Sequence, residues 1–203
     1  MQSVRNKASA RIYGNQRGWA FSKIDLLDLG SDADVRKALS ELAAKGTIRR
    51  VLRGVYDYPR ISKLLDETMG PDLDQLAHAL ARRSGWRIQP SENTALNILG
   101  LSTQVPAQSV YLSDGPSKMY EVGKQQLVFK KRTLKESVFK HKESELVVQA
   151  LKALGQERID EKVRQKLSKL WSPALWRKMV RDKKTAPAWV HGIIRSIAES
   201  LKS

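Results

Sequence analysis

Apolar residues recur at helical intervals through the first part of the chain. Val4, Ala8, Arg11 and Ile12 suit a helix that ends at Gly14. Ser22 precedes a short helical stretch, Lys23–Leu27, with Ile24 and Leu27 expected inward and Gly30 closing it. Ser31 or Asp32 can cap a third helix, in which Val35, Ala38, Leu39 and Leu42 make an i, i+3, i+4, i+7 stripe and Gly46 gives the stop. Beyond it, Thr47–Leu52 and Val55–Tyr58 read as strands around an Arg53-Gly54 turn, ended by Pro59. Three helices followed by a hairpin is the order of a winged helix-turn-helix, and residues 1–60 are assigned to it.

Residues 61–203 are expected to form a second domain. Leu73–Ser84 reads as a helix with Leu76, Ala77 and Leu80 on one face, and Glu92–Leu99 as another ended by Gly100. Val110–Leu112, Met119–Val122 and Gln126–Phe129 read as strands, with turns at Asp114-Gly115-Pro116 and Gly123-Lys124, which suggests a small antiparallel element. Residues 143–203 are helical in pattern: Glu145–Leu154, then Arg158–Trp171 with Ile159, Val163, Leu167 and Leu170 inward. Ser172-Pro173 signals a restart, an N-cap followed by proline at the first helical position. Thr185 is expected to cap the last helix, whose apolar face is Trp189, Val190, Ile193, Ile194 and Ile197, and Trp171, Trp176 and Trp189 read as anchors of a bundle. The fold class is α+β: a winged helix-turn-helix, then a mixed α/β domain finished by a helical bundle. With the boundary at Pro59, each part is expected to fold by itself.

Charge narrows the function. The 203 residues carry 37 Lys and Arg against 21 Asp and Glu, a net +16. The excess is +6 over residues 1–60, +2 over 61–133 and +8 over 134–203, so both ends are basic. Such a balance points to an anionic partner, because each cation set on a phosphate releases a counterion. With no cysteine, disulfides, thiolate metal sites and cysteine nucleophiles are excluded. Charged Arg5, Lys7 and Arg11 without an apolar run behind them argue against a leader, no stretch approaches a membrane span, and a cytoplasmic location is expected.

The candidate chemistry is DNA reading. With the stripe of the third helix buried, Arg36, Lys37 and Ser40 point outward, where a recognition helix meets base edges. Arginine and lysine there can donate to guanine O6 and N7 or to phosphate. Arg49, Arg50 and Arg53 cluster on the hairpin and suit phosphate neutralisation. Ser22 and Lys23 open the second helix, whose free N–H groups favour a phosphate. Asp32 and Asp34 at the start of the third helix stabilise its dipole but repel phosphate. A second anionic contact is possible at Lys130, Lys131 and Arg132 and along Arg158, Lys162, Lys166 and Lys169, although a basic face is usually only solvated.

Enzyme signatures are sparse, and no catalytic residue, cofactor or metal is expected. His78, His141 and His191 form no ligand motif, and no phosphate-binding glycine loop is present. The best enzymatic alternative is a metal-dependent nuclease using Asp114, Glu121 and Lys124, or Asp160-Glu161-Lys162. A nuclease core wants its second acid and its lysine two apart on one strand, which neither set offers. A further alternative is a scaffold that binds nucleic acid without specificity.

The segment Asp34–Tyr56 also resembles the winged-helix segment of AbiEi-type antitoxins of type IV toxin–antitoxin systems. The resemblance lies in Leu39, Leu42, Gly46, the basic strand Ile48–Val51 and the Arg53-Gly54-Val55-Tyr56 wing. It continues through Pro90–Asn97, Leu99-Gly100-Leu101, Pro106 and Ser113–Pro116, covering residues 1–135 but not the helical tail. It implies an antitoxin that binds inverted repeats in its own promoter as a transcriptional repressor. It also implies a cognate nucleotidyltransferase-like toxin as partner.

Overall fold

The computed structural model describes residues 3–201 except 103, 105, 134–139 and 183–185, so Thr185 lies outside the described residues. The fold is α+β. Helix α1 (Val4–Gly14) leads to strand β1 (Ala20–Ser22), a 3-10 helix (Lys23–Leu29), helix α2 (Asp32–Ala44) and the hairpin β2 (Arg49–Leu52) and β3 (Val55–Asp57). Ser31 caps α2 by accepting the Asp34 N–H at 3.2 Å. Strands β1 and β2 flank β3, both antiparallel to it. This order, with the first strand between the first two helices, is that of a winged helix. At the wing tip Gly54 has φ +73°, a conformation that lets the two strands close on a tight turn.

The buried side of this unit is the stripe expected of α2. Val35, Leu39 and Leu42 pack with Ala8, Ile12, Phe21, Leu26 and Ile48. Each of the larger side chains stabilises by roughly 1.5–3 kcal/mol. The second helix departs from the expectation. Ile24 and Leu27 are exposed and Leu26 is buried. As a 3-10 helix it repeats every three residues, so Leu26 and Leu29 share the inner side. Strand β1 was not legible, because all three of its residues are buried and nothing alternates.

A two-stranded ribbon follows, β4 (Ile61–Ser62) with β5 (Glu67–Thr68), then α3 (Leu73–Ser84), β6 (Ile88–Pro90) and α4 (Glu92–Ile98). Strands β7 (Gln108–Ser113), β8 (Lys118–Val122) and β9 (Gln125–Lys131) complete a sheet of order β6-β7-β9-β8. The expected antiparallel element is present in the β6–β7 and β8–β9 pairs, but the sheet also contains a parallel pair: β7 and β9 run in register from Gln108↔Gln126 to Ser113↔Lys131. The hairpin β8–β9 folds back so that β9, not β8, lies beside β7. Turn residues around Gly115 and Gly123 signal reversals but carry no information on which strand becomes the neighbour.

Four helices close the chain: α5 (Lys142–Leu154), α6 (Glu161–Ser168), α7 (Pro173–Arg181) and α8 (Ala188–Ser200). The helix expected over Arg158–Trp171 is shorter. Asp160 has an extended backbone and caps α6 through the Val163 N–H at 2.9 Å, so Arg158 falls in a preceding turn and Leu170 is exposed. Trp176 is fully buried and meets Trp171 edge-on at 5.8 Å, the anchoring role read from the sequence. Asp182, at the end of α7, reaches across to the start of α5 and accepts the backbone N–H groups of Lys140 and His141 at 2.9 and 3.0 Å. Among the described residues no helix is long and apolar enough to cross a membrane.

The core does not break at Pro59. Ala20 and Val55 of the first sheet pack in one cluster with Leu76, Ala77 and Leu80 of α3 and with Tyr111, Leu127 and Phe129 of the second sheet. Arg82 of α3 binds Asp25 at 2.6 Å and the Ala20 carbonyl at 2.9 Å. The winged unit is thus seated on α3, and the two parts share buried surface across Pro59.

Candidate nucleic-acid interface

The outer face of α2 follows from its inner one. With Val35, Ala38, Leu39 and Leu42 turned to the core, Ala33, Arg36, Lys37, Ser40 and Ala44 are exposed along the opposite side. The beginning of this helix is electrostatically occupied. Asp32 binds Lys23 Nζ at 2.6 Å through one carboxylate oxygen and Arg36 through the other. The hydrogen bond from Lys23 holds the Asp32 carboxyl below the usual carboxylate range, opposed by desolvation and helped by the hydrogen bond from Arg36. One acid therefore draws in two of the cations expected to meet DNA. Lys37 is exposed one turn from Glu41, which itself pairs with Arg5 of α1 at 3.6 Å.

The wing arginines do not act as a set. Arg49 and Arg50 are adjacent on β2 and so point to opposite faces. Arg49 turns to β3 and grips the buried Asp57 carboxylate at 2.5 and 3.1 Å, with a third bond to the Met69 carbonyl at 3.1 Å. It fastens the hairpin and the following ribbon, which commits three of its five N–H donors. Arg50 and Arg53 are exposed, and the Arg53 carbonyl accepts from Arg83 of α3 at 2.6 Å. Ser22 also leaves the interface. It is fully buried, and its N–H and hydroxyl turn to Asp25 at 2.9 and 3.5 Å, a local cap that needs a short acid three residues on.

The candidates for a second anionic contact divide similarly. Lys130, Lys131 and Arg132 are all exposed, but Lys130 and Lys131 lie within β9 rather than in a loop after it. Lys162, Lys166 and Lys169 share one side of α6, while Arg158 stands apart and Lys166 Nζ is held by the Gly100 carbonyl. The acids weighed for a nuclease are not gathered. Asp114 is engaged by Arg87 through the side chain at 2.9 Å and the backbone N–H at 2.8 Å. Glu121 lies on β8 opposite Gln126. Among the described residues no group of three or more His, Asp or Glu is placed to hold a metal ion.

One polar cluster was not anticipated. Tyr111 Oη donates to Asp74 Oδ1 at 2.8 Å, and His78 Nε2 lies 3.6 Å from the same oxygen. Burial pushes the His78 imidazole down and the Tyr111 phenol up. The cluster borders a cavity of about 240 Å³ between α3, β6, α5 and Trp171. Asp74 and His78 are one helical turn apart, a visible spacing, but Tyr111 joins them only through the parallel placement of β7.

These features define an α+β protein with a winged-helix head that exposes Arg36 and Lys37 on α2 and Arg50 and Arg53 on the wing, beside Arg5, Lys7 and Arg17 at its first helix. The chain belongs to DUF6088, a family of unknown function, whose model matches residues 7–179. No curated protein matches it.

Proposed function

We propose that this protein is a sequence-specific, duplex-DNA-binding regulator that acts by binding rather than catalysis. The observation that carries the reading is the outer face of α2. Arg36, Lys37 and Ser40 project from a helix whose other side is locked into the core, with Arg50 and Arg53 exposed on the adjoining wing. A rigid helix with donors on its first turns suits the major groove, and a basic hairpin tip suits the flanking backbone. The net charge of +16 supports association with a polyanion. Following the resemblance to AbiEi-type antitoxins, the regulator represses its own promoter at inverted repeats, in the cytoplasm. It also counters a nucleotidyltransferase-like toxin.

The test is fluorescence anisotropy with a duplex from the chain's own promoter and a random duplex of equal length, over a series of salt concentrations. The promoter duplex is expected to bind more tightly, with log K falling linearly against log salt for both. Equal affinity for the two duplexes rejects specific readout, and no binding to either rejects the reading altogether. Co-expression with a neighbouring nucleotidyltransferase-like gene, where one is present, tests the antitoxin part by growth rescue.

A further inference from the structure

The ribbon β4–β5 presents the most exposed apolar surface of the described chain. Leu64 is 91% and Leu65 67% exposed at its tip, and Ile61 and Met69 are exposed at its base. Beside it lies a groove of about 330 Å³ whose lining includes Tyr13, Arg17, Tyr58, Pro59, Ile61 and Thr68, with Tyr13 half exposed and Arg17 over the Tyr58 ring at 4.6 Å. The ribbon is not a loose loop. Only two residue pairs join its strands, too few to be stable alone. It is fixed from outside by Arg49 on the Met69 carbonyl, by the Met69 N–H on the Arg60 carbonyl at 2.8 Å, and by the ion pair Arg60–Asp72. Several anchors thus hold Leu64 and Leu65 out in water with Ile61 and Met69 on the same ribbon, and it is grouped rather than scattered exposed apolar residues that mark interaction sites.

We propose that this ribbon is a self-association surface through which two copies of the chain pair about a two-fold axis. The charges at the tip decide the occupant. Lys63 precedes the leucines and Asp66 and Glu67 follow them, all exposed and without an ion-pair partner among the described residues. Asp66 and Glu67 repel phosphate, which opposes insertion of the leucines between bases. A second ribbon in antiparallel approach instead sets Lys63 of each copy against Asp66 and Glu67 of its partner, the reciprocal matching an isologous contact requires. In a chain of net +16, this locally balanced segment lets two copies approach without the repulsion that most of the surface imposes. Among the described residues the outer edges of β4 and β5 have no strand partner, so backbone pairing is open to a second copy. The surface is smaller than the about 800 Å² per partner of a standard interface, so the association is expected to be weak and concentration-dependent.

The inference does not require the DNA reading, and the measurement that decides it is made without DNA. Sedimentation velocity on the full chain is expected to show a mass rising from 22.9 kDa toward twice that value as concentration increases through the micromolar range. Leu64→Asp with Leu65→Asp is expected to remain monomeric throughout with an unchanged melting temperature, both leucines being exposed. Lys63→Glu is expected to weaken pairing, and Lys63→Glu with Asp66→Lys and Glu67→Lys to restore it. A wild-type chain that stays monomeric at the highest concentration overturns the proposal. So does a dimer that the leucine double variant leaves intact. If the wild type is monomeric and the double variant loses duplex binding, the tip belongs to the DNA interface instead.

Discussion

Asp32→Asn is expected to raise the affinity for duplex DNA. In the folded protein the Asp32 carboxylate holds both Lys23 and Arg36, the two cations nearest the start of the recognition helix. Releasing them makes up to two further phosphate contacts available. Each contact adds about 0.9 to the slope of log K against log salt, so the slope should steepen by about 0.9 to 1.8. Over a fourfold rise in salt, one added contact changes the ratio of variant to wild-type affinity by about 3.5-fold and two by about 12-fold. The fold should tolerate the change, because Ser31 remains the cap and Asp34 remains in the first turn, leaving a helix-dipole loss of at most about 1 kcal/mol. The assay is anisotropy with one random duplex across a salt series, beside a thermal melt. Glu157→Gln, an equal charge change on an exposed turn of the bundle, is the control. An unchanged slope in a folded Asp32→Asn protein, or the same steepening in the control, refutes the placement of this helix end against the phosphates.

Four further expectations follow from individual contacts. Arg49→Ala should lower stability by roughly 2–3 kcal/mol, less than the about 3–5 of a fully buried pair because Arg49 is partly exposed. Arg50→Ala and Arg53→Ala should leave the melt unchanged yet flatten the salt slope, and the reverse pattern would exchange their roles. Asp182 is buried; desolvation pushes its carboxyl up, but the N–H groups of Lys140 and His141 outweigh this and hold it below the usual range. Its contribution is therefore complete above about pH 4, the unfolded value, and lost as pH falls through the lower folded value. Asp182→Asn should melt lower at neutral pH and show a shallower acid decline, and parallel melting curves from pH 7 to pH 2.5 would exclude the linkage. A Cβ at Gly115 would sit 2.5 Å from the Trp86 ring, so Gly115→Ala should cost about 1–3 kcal/mol by overpacking, measured by urea denaturation.

Periodicity located most of the helices because each buries one stripe. Val35, Ala38, Leu39 and Leu42 are buried together, as are Val190, Ile193, Ile194 and Ile197. It failed where burial is not periodic. Ala20, Phe21 and Ser22 are buried consecutively, and the 3-10 helix exchanges Ile24 and Leu27 for Leu26. The sheet order was illegible because the pairing of β7 with β9 is a contact between segments separated by a complete hairpin. Within the candidate site, outward positions of α2 could be read, but commitments of individual cations could not. Arg49 and Arg50 are chemically alike and adjacent, and only the neighbouring strand shows that one of them grips Asp57. The pull of Asp32 on Lys23 crosses from one helix to the next, a spacing that no single-helix pattern contains.

The seating of the first sheet on α3 has a consequence for how such a protein can change over generations. Ala20 and Val55 share their core with Leu76, Leu80 and Phe129, so a cut near residue 60 would bare apolar surface on both pieces. The head is consequently a poor unit for shuffling: a foreign winged helix grafted onto this body would need a matching underside as well as a new recognition face. If α2 reads DNA as proposed, altered preference is far more accessible through substitutions at Arg36, Lys37 and Ser40, which are exposed and outside that shared interior. The architecture leaves the outer face of α2 free to drift while tying the rest of the head to the lineage of the body that carries it.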